Sequence, residues 1–469
     1  MTVEQLYTKC LAEAAYYIES NGEAVIIDPL RETQPYIDRA KQDNATIKYV
    51  FLTHFHADFV SGHVDLAQQT GATIVFGPNA TTEFDIHSGT DGEEFKIGDV
   101  TLTLLHTPGH TMESSCYLLK DANGKETAVF TGDTLFIGDV GRPDLAVKSN
   151  LTTEDLAGHL YDSLRTKLMV LPDNVTVYPA HGAGSACGKN MSKETFDTLG
   201  NQKKVNYALQ TDLSKEDFIK ELTTGLATPP QYFPKNVAMN KGVNVQIDAI
   251  ISKGTAALDA KTFAELAQQK DILVIDARSP QDYVKGSIEG AWYFGITGGF
   301  APWVGTLIED LNQKIIFIAP EGRESEVVTR LARVGYDNSL GYLEGGMQAW
   351  EEAGYAIDIT ESISAEDFEK EINEGKVENP LDVRKIGEYQ AQHIEGITHL
   401  PLSTVHEHVK ELDASKRYHI HCAGGYRSLI HASILKSNGI KNVVNIEGGF
   451  GAIKKTDIKT TSYVCPSEL

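Results

Sequence analysis

Short apolar runs rich in β-branched residues recur through the first half of the chain, and each ends abruptly in a loop that carries histidine or aspartate. Runs of this length predict buried strands, while the stretches 61–70 and 153–170 predict helices between them. The four runs that matter most are 47–52 before His54, 100–105 before His110, 128–130 before Asp133 and 175–178 before His181. We therefore expect a layered α/β domain with polar side chains on loops at strand ends, where a sheet holds them rigidly.

The second half of the chain repeats itself after a break in this pattern. Pro229-Pro230 and the polar stretch 235–244 indicate a linker. Beyond it, VIDAR at 274–278 returns as LDVR at 381–384, and LEGG at 343–346 returns as IEGG at 446–449. These paired motifs indicate a duplicated domain. The predicted organisation is a first domain over 1–232, a linker over 233–254, and two repeats over 255–358 and 362–469.

Charge and cysteine content narrow the possible partners. The 469 residues include 42 basic and 65 acidic side chains, a formal net charge of −23, which opposes binding to nucleic acid or to an anionic membrane face. The chain shows no secretory signal pattern and no run of roughly eighteen apolar residues, so we expect a cytoplasmic protein with small-molecule partners. Its five cysteines lack C-x-x-C spacing, which favours reduced thiols over a disulfide framework or a zinc site.

Six residues at the strand ends have the chemistry of a metal site. His54, His56 and Asp58 share one loop, and His110, Asp133 and His181 each follow a later strand. Imidazole and carboxylate suit divalent iron or zinc, and ligands from separate strands can hold a metal while leaving positions open for substrate. The alternative, a set of scattered surface histidines, is the weaker interpretation because the histidines lie in tight motifs.

These motifs resemble the metallo-β-lactamase superfamily, and within it they are most similar to persulfide dioxygenases. They are HFHAD at 54–58, TPGHT at 107–111, TGDTLF at 131–136 and PAHG at 179–182. The resemblance implies an αββα sandwich and one Fe(II) per chain, held by His54, His110 and Asp133 in the facial arrangement of non-haem oxygenases. It leaves His56, Asp58 and His181 to orient ligands or hold water, with a role as ligands still open.

Position 59 departs from the dinuclear zinc hydrolases of the superfamily, such as glyoxalase II. Those enzymes place a second-metal histidine directly after the motif's aspartate, and here Phe59 stands there. A phenyl ring cannot coordinate a metal, so this position argues against two metals without proving iron.

Two nearby features concern the substrate. Arg142 offers a guanidinium for binding an anionic persulfide, and a structural pairing with Asp144 is an equally good interpretation. Cys187 lies in a loop of small residues just beyond His181, a loop that resembles bacterial fusions of dioxygenase and sulfurtransferase. Cys187 is interpreted either as a buried structural cysteine or as a redox-active thiol that accepts a persulfide.

A second candidate site lies in the last repeat, where the apolar stretch 418–421 runs into CAGGYRS at 422–428 and a predicted helix. Backbone N–H groups at a helix N-terminus favour a thiolate at Cys422 and can cradle a persulfide anion. Gly424 and Gly425 allow close backbone approach, and Arg427 adds positive charge. With DVR at 382–384 and EGG at 447–449, this loop resembles an active rhodanese, which implies catalytic roles for Cys422 and Arg427.

The first repeat lacks this chemistry. Its matching segment is IAPEGRES at 318–325, in which Arg323 aligns with Arg427 but Ile318 or Ala319 stands in place of the cysteine. Without a thiol there is no persulfide carrier, so we predict a pseudo-rhodanese that serves as a spacer or docking surface. Trp292 and Trp303 in this repeat are interpreted as core or interface residues.

Together the motifs resemble bacterial fusions in which a metallo-β-lactamase-type αββα domain precedes two rhodanese-like α/β domains. The resemblance implies oxidation of a thiol persulfide by O₂ to sulfite and thiol, coupled to rhodanese transfer that forms thiosulfate or runs in reverse. Coenzyme A, glutathione and bacillithiol all remain candidate thiols, and a homo-oligomer is expected. The alternatives are a metal-dependent thioester hydrolase with an appended sulfur carrier, against which Phe59 counts, and a non-catalytic persulfide relay or sensor.

Overall fold

The computed structural model describes residues 1–145 and 151–464, so Cys465 lies outside the described residues. Contacts divide the chain into two compact units. The first comprises residues 1–249 with 331–335, and the second comprises the remaining described residues from 250 onwards. In the part of the chain that the structure describes, every helix is too short or too polar to cross a bilayer.

The first unit contains two six-stranded sheets. One sheet has the order β1-β2-β3-β4-β5-β6, and the other has the order β12-β11-β10-β9-β8-β7. The strands are β1 (Thr2–Thr8), β2 (Glu13–Ser20), β3 (Glu23–Ile27), β4 (Thr46–Phe51), β5 (Thr73–Phe76), β6 (His87–Ser88), β7 (Glu94–Ile97), β8 (Val100–His106), β9 (Ser115–Lys120), β10 (Glu126–Gly132), β11 (Thr176–Pro179) and β12 (Asp197–Thr198). The four strands predicted from apolar runs correspond to β4, β8, β10 and β11.

Alternation along β2 shows how the layers are held together. Tyr16 joins a buried cluster that contains residues of both sheets, including Phe130, while its neighbour Tyr17 joins a second cluster with Tyr36 and Leu66 from two helices. Successive side chains of a strand point to opposite faces, so one strand contributes to both layers. A third cluster packs helical residues against the other sheet, which completes the expected αββα sandwich. The helices of residues 1–254 are α1 (Gln34–Gln42), α2 (His63–Thr70), α3 (Thr153–Ser163), α4 (Leu199–Val205), α5 (Lys215–Thr223), α6 (Phe233–Lys241) and α7 (Ile247–Gly254).

Residues 233–254, predicted as a linker, are largely helical, because α6 and α7 lie within them. Pro234 occupies the first turn of α6, where a missing N–H does no harm. The buried Asn240 side chain donates hydrogen bonds of 2.8 Å to the carbonyls of His56 and Phe59 and accepts one from the Ser61 N–H. The start of this segment therefore supports the loop that carries the metal motif.

The second unit contains two five-stranded sheets with the same topology. Their orders are β13-β17-β16-β14-β15 and β18-β22-β21-β19-β20, and every pairing is parallel. The strands are β13 (Ala257–Leu258), β14 (Ile272–Asp276), β15 (Trp292–Tyr293), β16 (Lys314–Ile318), β17 (Ser339–Leu343), β18 (Glu361–Ile363), β19 (Asn379–Asp382), β20 (Thr398–His399), β21 (Tyr418–His421) and β22 (Val443–Ile446). The repeated motifs thus reflect two copies of one α/β fold, as predicted.

Ten helices from α8 onwards accompany these sheets in the described residues. They are α8 (Ala260–Ala267), α9 (Pro280–Lys285), α10 (Phe300–Leu307), α11 (Glu324–Arg333), α12 (Gly346–Glu352), α13 (Ala365–Asn373), α14 (Ile386–Ala391), α15 (Val405–His408), α16 (Tyr426–Ser437) and α17 (Gly449–Ile453). Helix α16 is buried along its whole middle, from Ser428 to Lys436. A helix enclosed on all sides needs no polar face, which explains its lack of amphipathic pattern.

His431 within α16 gives a prediction about stability. Burial lowers its pKa to about 3, and neither ring nitrogen has a hydrogen-bond partner in the described structure. Below about pH 6.5 this residue is therefore protonated in the unfolded chain but stays neutral in the folded chain. As the pH is lowered from there, the free energy of unfolding decreases by about 1.4 kcal/mol per pH unit. We expect His431→Leu to raise the melting temperature, increasingly so from pH 6.5 towards pH 4.5. The partly exposed His408→Leu is the control, and equal pH profiles for the two variants would contradict the assignment.

Candidate functional site

His54, His110 and Asp133 converge at the ends of β4, β8 and β10. The Nε2 atoms of His54 and His110 lie 3.8 Å and 3.6 Å from Asp133 Oδ2, and all three residues are buried. Asp133 Oδ2 has no hydrogen-bond partner within the described residues. A buried carboxylate oxygen without a partner is costly unless a cation satisfies it, so this donor set fits a divalent metal.

Hydrogen bonds determine which ring nitrogens face this centre. His110 Nδ1 lies 2.8 Å from the carbonyl of Arg142, which can only accept, so Nδ1 carries the proton and Nε2 keeps its lone pair. Thr53 donates its hydroxyl to Asp28, and His54 Nδ1 lies 3.0 Å from that hydroxyl oxygen, which must therefore accept. Burial lowers the pKa of His54 well below its usual value. Both imidazoles thus turn Nε2, and not Nδ1, towards Asp133.

His181 links the two acidic residues of the site. Its Nδ1 lies 2.7 Å from Asp133 Oδ1 and its Nε2 lies 2.8 Å from Asp58 Oδ2. Burial alone would lower the pKa of His181, but the two carboxylates outweigh it and hold that pKa well above its usual value. Burial opposes ionisation of Asp133, yet the surrounding histidines hold its pKa far below normal. His181 therefore orients Asp133 while bearing positive charge.

Phe59 occupies the place expected for a second-metal ligand. Its fully buried ring lies 4.3 Å from the His56 ring, and His56 Nε2 lies 3.0 Å from Asp28 Oδ1. Sequence reasoning missed Asp28, which contacts both Thr53 and His56. Asp28 directly follows the apolar strand β3, as Asp133 follows β10, but no recognisable motif surrounds Asp28.

Cys187 lies beside this centre. Its sulfur and the ligand atoms of Asp58 and His181 all fall within 4.8 Å of one another, and all three residues are buried. Burial, together with Asp58 and Asp133, raises the pKa of Cys187 well above its usual value. The thiol that sequence placed just after His181 is therefore next to the predicted ligand set and in its protonated form.

Arg142 makes structural contacts. Its guanidinium forms a two-point pair with Asp144, at 2.6 Å and 2.7 Å, and also donates to the carbonyls of Ala186 and Ala227. Its backbone N–H donates to the carbonyl of Cys187. Arg142 thus holds the Cys187 loop in place. Its pairing with Asp144 is the structural alternative that the sequence analysis gave beside a substrate-binding role.

Gly132 allows the end of β10 to lie close to the loop that carries His54. Gly132 has a φ of +53°, and a Cβ there would lie 2.5 Å from the Cβ of Thr53. Only glycine adopts this backbone conformation without strain at such a distance. The Thr-Gly-Asp motif therefore places Asp133 directly against the His54 loop.

Cys422 follows β21 in the second unit and is 1% exposed. The Gly425 N–H donates to Cys422 Sγ at 3.1 Å, and Gly425, with a φ of +97°, forms the N-terminal cap of α16. The hydroxyl of Ser428 lies 3.6 Å from the same sulfur. Gly424 has open space where a side chain would stand. The first turn of α16 therefore gives the sulfur one backbone N–H donor, from Gly425, and the hydroxyl of Ser428, which the sequence analysis did not single out.

The repeated Glu-Gly-Gly motif holds this loop from the other side. A Cβ at Gly449 would lie 2.3 Å from the carbonyl oxygen of Cys422, and Gly449 has a φ of +53°. The N–H groups of Phe450 and Gly451 donate to the carbonyls of Cys422 and Ala423. The first turn of α17 is thus the second support of the loop.

Arg427 lies close to Cys422, and its guanidinium forms an ion pair with a carboxylate. Its guanidinium pairs with both oxygens of Glu388, at 2.6 Å and 2.7 Å. Burial opposes ionisation of Glu388, but Arg427 outweighs it and holds the pKa of Glu388 below normal. In the first repeat, Ile318 ends β16 at the corresponding place, and Arg323 pairs with its neighbour Glu326.

Comparison with known proteins identifies the family of each half of the chain. The family model of the metallo-beta-lactamase superfamily matches residues 8–181, and that of the rhodanese-like domain matches residues 259–353 and 364–456. Mouse "Persulfide dioxygenase ETHE1, mitochondrial" is 31% identical over 232 residues, covering 48% of this chain and 80% of that protein. The chain belongs to the metallo-β-lactamase superfamily. It carries this domain in fusion with two rhodanese-like domains.

Other relatives bear on the activity. A crystal structure titled as a metallo-beta-lactamase from Staphylococcus aureus subsp. aureus COL is 31% identical, with a TM-score of 0.65, and covers 73% of this chain and 98% of that one. Hydroxyacylglutathione hydrolase from Tolumonas auensis is 34% identical over 170 residues, or 35% of this chain. The chain spans 60% of that hydrolase's length and 66% of the cytoplasmic enzyme of Arabidopsis thaliana.

Proposed function

We propose that the protein is a cytoplasmic persulfide dioxygenase with one Fe(II) per chain, coupled to a rhodanese-type sulfurtransferase. The observation that carries the proposal is the buried set of two imidazoles and one carboxylate, present in the same chain as a cysteine at a helix N-terminus. Two histidines and one carboxylate form the ligand set of non-haem ferrous oxygenases. Iron bound there would bring O₂ and the persulfide sulfur together and pass electrons from that sulfur to O₂.

The chain's own residues hold and orient this centre. His54 and His110 offer Nε2 because Thr53 and the Arg142 carbonyl accept their Nδ1 protons. His181 holds Asp133 in place through a 2.7 Å contact. The proposed reaction consumes one thiol persulfide, one O₂ and one water, and it yields one thiol, one sulfite and two protons. Cys187, next to Asp58 and His181, is the proposed thiol for sulfur that enters or leaves this centre.

The sulfurtransferase half uses Cys422 as the carrier. A persulfide on Cys422 passes its terminal sulfur to sulfite, which forms thiosulfate and returns the Cys422 thiolate. Transfer from thiosulfate to Cys422 is the same step in reverse. The donors at Gly425 and Ser428, with Arg427 nearby, are placed to stabilise the anionic sulfur.

Thioester hydrolysis is the second candidate, because hydroxyacylglutathione hydrolases match the first domain at similar identity. Dinuclear zinc hydrolases activate water with two metals, and the buried Phe59 removes one ligand of the second metal. The persulfide dioxygenase relative covers more of this chain than these hydrolases do. These points favour the dioxygenase.

Metal content and oxygen uptake test the proposal. We expect protein purified anaerobically with ferrous iron to hold about one iron per chain. It should consume O₂ on addition of coenzyme A persulfide or glutathione persulfide, with sulfite or thiosulfate as product. The rates with each persulfide rank the candidate thiols. Two zinc ions per chain, no oxygen uptake and hydrolysis of S-lactoylglutathione would establish the hydrolase instead.

A further inference from the structure

Tyr426, the first residue of α16, reaches out of its own repeat. It follows the Cys422 loop directly, and its hydroxyl donates a 2.9 Å hydrogen bond to the carbonyl of Gly295 in the cysteine-less repeat. Burial raises the pKa of Tyr426, so the hydroxyl remains a donor at all physiological pH values. The end of the sulfur-transfer loop is therefore tied to the repeat that carries no thiol.

The cysteine-less repeat forms a fitted socket for this ring. Tyr293 meets the Tyr426 ring edge to face, with centroids 6.0 Å apart. A Cβ at Gly298 would lie 2.3 Å from the nearest carbon of the Tyr426 ring, so glycine is required there. Aromatic pairs of this geometry, together with a buried hydrogen bond, define one orientation of the ring.

Two further contacts hold the rest of α16 against the same repeat. The Tyr293 N–H donates to Ser433 Oγ at 2.9 Å, and Trp292 Nε1 donates to Ser437 Oγ at 3.0 Å. These contacts lie progressively farther from the loop along the helix. Only the Tyr426 contact is at the end that adjoins the sulfur.

The position of the first turn of α16 determines the surroundings of the sulfur. Gly425 caps this turn and donates its N–H to Cys422 Sγ, and the Ser428 hydroxyl comes from the same turn. A shift of the turn by a few tenths of an ångström would lengthen both contacts, and hydrogen bonds weaken steeply as their geometry degrades.

We propose that Tyr426 is a positioning residue for sulfur transfer, and that the cysteine-less repeat serves to hold the Cys422 loop through the Tyr426–Gly295 contact. This inference rests on the proposed sulfurtransferase function. It gives the pseudo-rhodanese a defined task in the chemistry of its neighbour, in addition to that of a spacer.

Tyr426→Phe in the full chain tests this role, because it keeps the ring in its socket and removes only the hydroxyl. Ser437→Ala is the matched control, since it deletes one hydrogen bond of the same interface at the far end of α16. We measure thiosulfate sulfurtransferase kcat and KM. We also measure the rate of iodoacetamide alkylation at Cys422 at neutral pH, followed on its peptide by mass spectrometry.

For Tyr426→Phe we expect kcat to fall about fivefold to tenfold, the loss typical of one hydrogen bond. Alkylation of Cys422 by iodoacetamide at neutral pH should also slow, because the sulfur loses part of its N–H donor. Ser437→Ala should change neither, and oxygen uptake should be equal in all three proteins. Wild-type values for Tyr426→Phe, or equal losses in both variants, would overturn the positioning role. A wild-type protein without any sulfur transfer would instead refute the proposed function.

Discussion

Replacement of His110 by alanine is expected to abolish iron binding and oxygen uptake while leaving sulfur transfer at Cys422 unchanged. His110 supplies one of the two Nε2 atoms that face Asp133 Oδ2 as proposed metal ligands. Its loss leaves one imidazole and one carboxylate. Loss of an outer hydrogen-bond partner already costs a metal site roughly 10-fold to 100-fold in affinity, and removal of a ligand itself exceeds that. Iron per chain, oxygen consumption and thiosulfate sulfurtransferase activity are measured on the same preparation.

The control for this variant is His106→Ala. His106 is the last residue of β8, and its ring contacts the Met112 carbonyl in the loop that carries His110, but not the three proposed ligand side chains. The His106→Ala variant loses an imidazole from the strand that leads to His110 but keeps all three proposed ligands. Iron binding and oxygen uptake should therefore persist. Retention of iron by His110→Ala would show that the ligands are misassigned. Parallel loss of oxygen uptake and sulfur transfer would show that the two sites do not act separately.

The convergence of His54, His110 and Asp133 was foreseeable from the sequence because polar residues at strand ends form a local pattern. An apolar run that stops at a histidine or aspartate shows both the strand and its end, and the strands of one sandwich bring their ends together. Asp28 follows the same rule after β3, but a single aspartate without a motif was not distinguished from a turn residue. Its contacts with Thr53 and His56 depend on the register of β3 against β4, which is a tertiary property.

The surroundings of each site were harder to predict for the same reason. Arg142 has the residue type of an anion-binding group, yet its partners Ala186 and Ala227 come from distant parts of the chain. Glu388, which pairs with Arg427, and Gly295, which accepts from Tyr426, are likewise far away in sequence. The helices in 233–254 were not predicted, because Pro229-Pro230 and the polar composition of 235–244 are typical of a linker.

The duplication was visible because the two repeats keep the same motifs at the same strand ends. The sequence also showed that one copy had lost its cysteine. The sequence could not show that the repeat without this cysteine packs closely against the repeat that has it. Gly298 is needed there only because the Tyr426 ring of the other repeat lies against it. Packing between the two repeats therefore explains why Gly298 is a glycine.

Replacement of Cys422 by serine should have the opposite effect to His110→Ala. Serine keeps the loop's size but has no sulfur that can form a persulfide, so sulfurtransferase activity should fall at least about a thousandfold. Oxygen uptake with a thiol persulfide should continue, and sulfite should accumulate in place of thiosulfate. Cys10→Ser is the control, because Cys10 is a partly exposed thiol elsewhere in the chain. Sulfur transfer that survives in Cys422→Ser would move the carrier role to another thiol.

A mixture of the His110→Ala and Cys422→Ser proteins extends this prediction. Each retains the half-reaction that the other lacks, and sulfite is the intermediate that joins the two. If sulfite is released into solution, the mixture should form thiosulfate from a thiol persulfide and O₂, at a rate that rises with the concentration of the His110→Ala protein. If the wild-type chain instead passes sulfite directly from one of its sites to the other, it should form thiosulfate much faster than the mixture does at the same concentration of each intact site. The two outcomes distinguish a free intermediate from a retained one while both variants keep their folded sites.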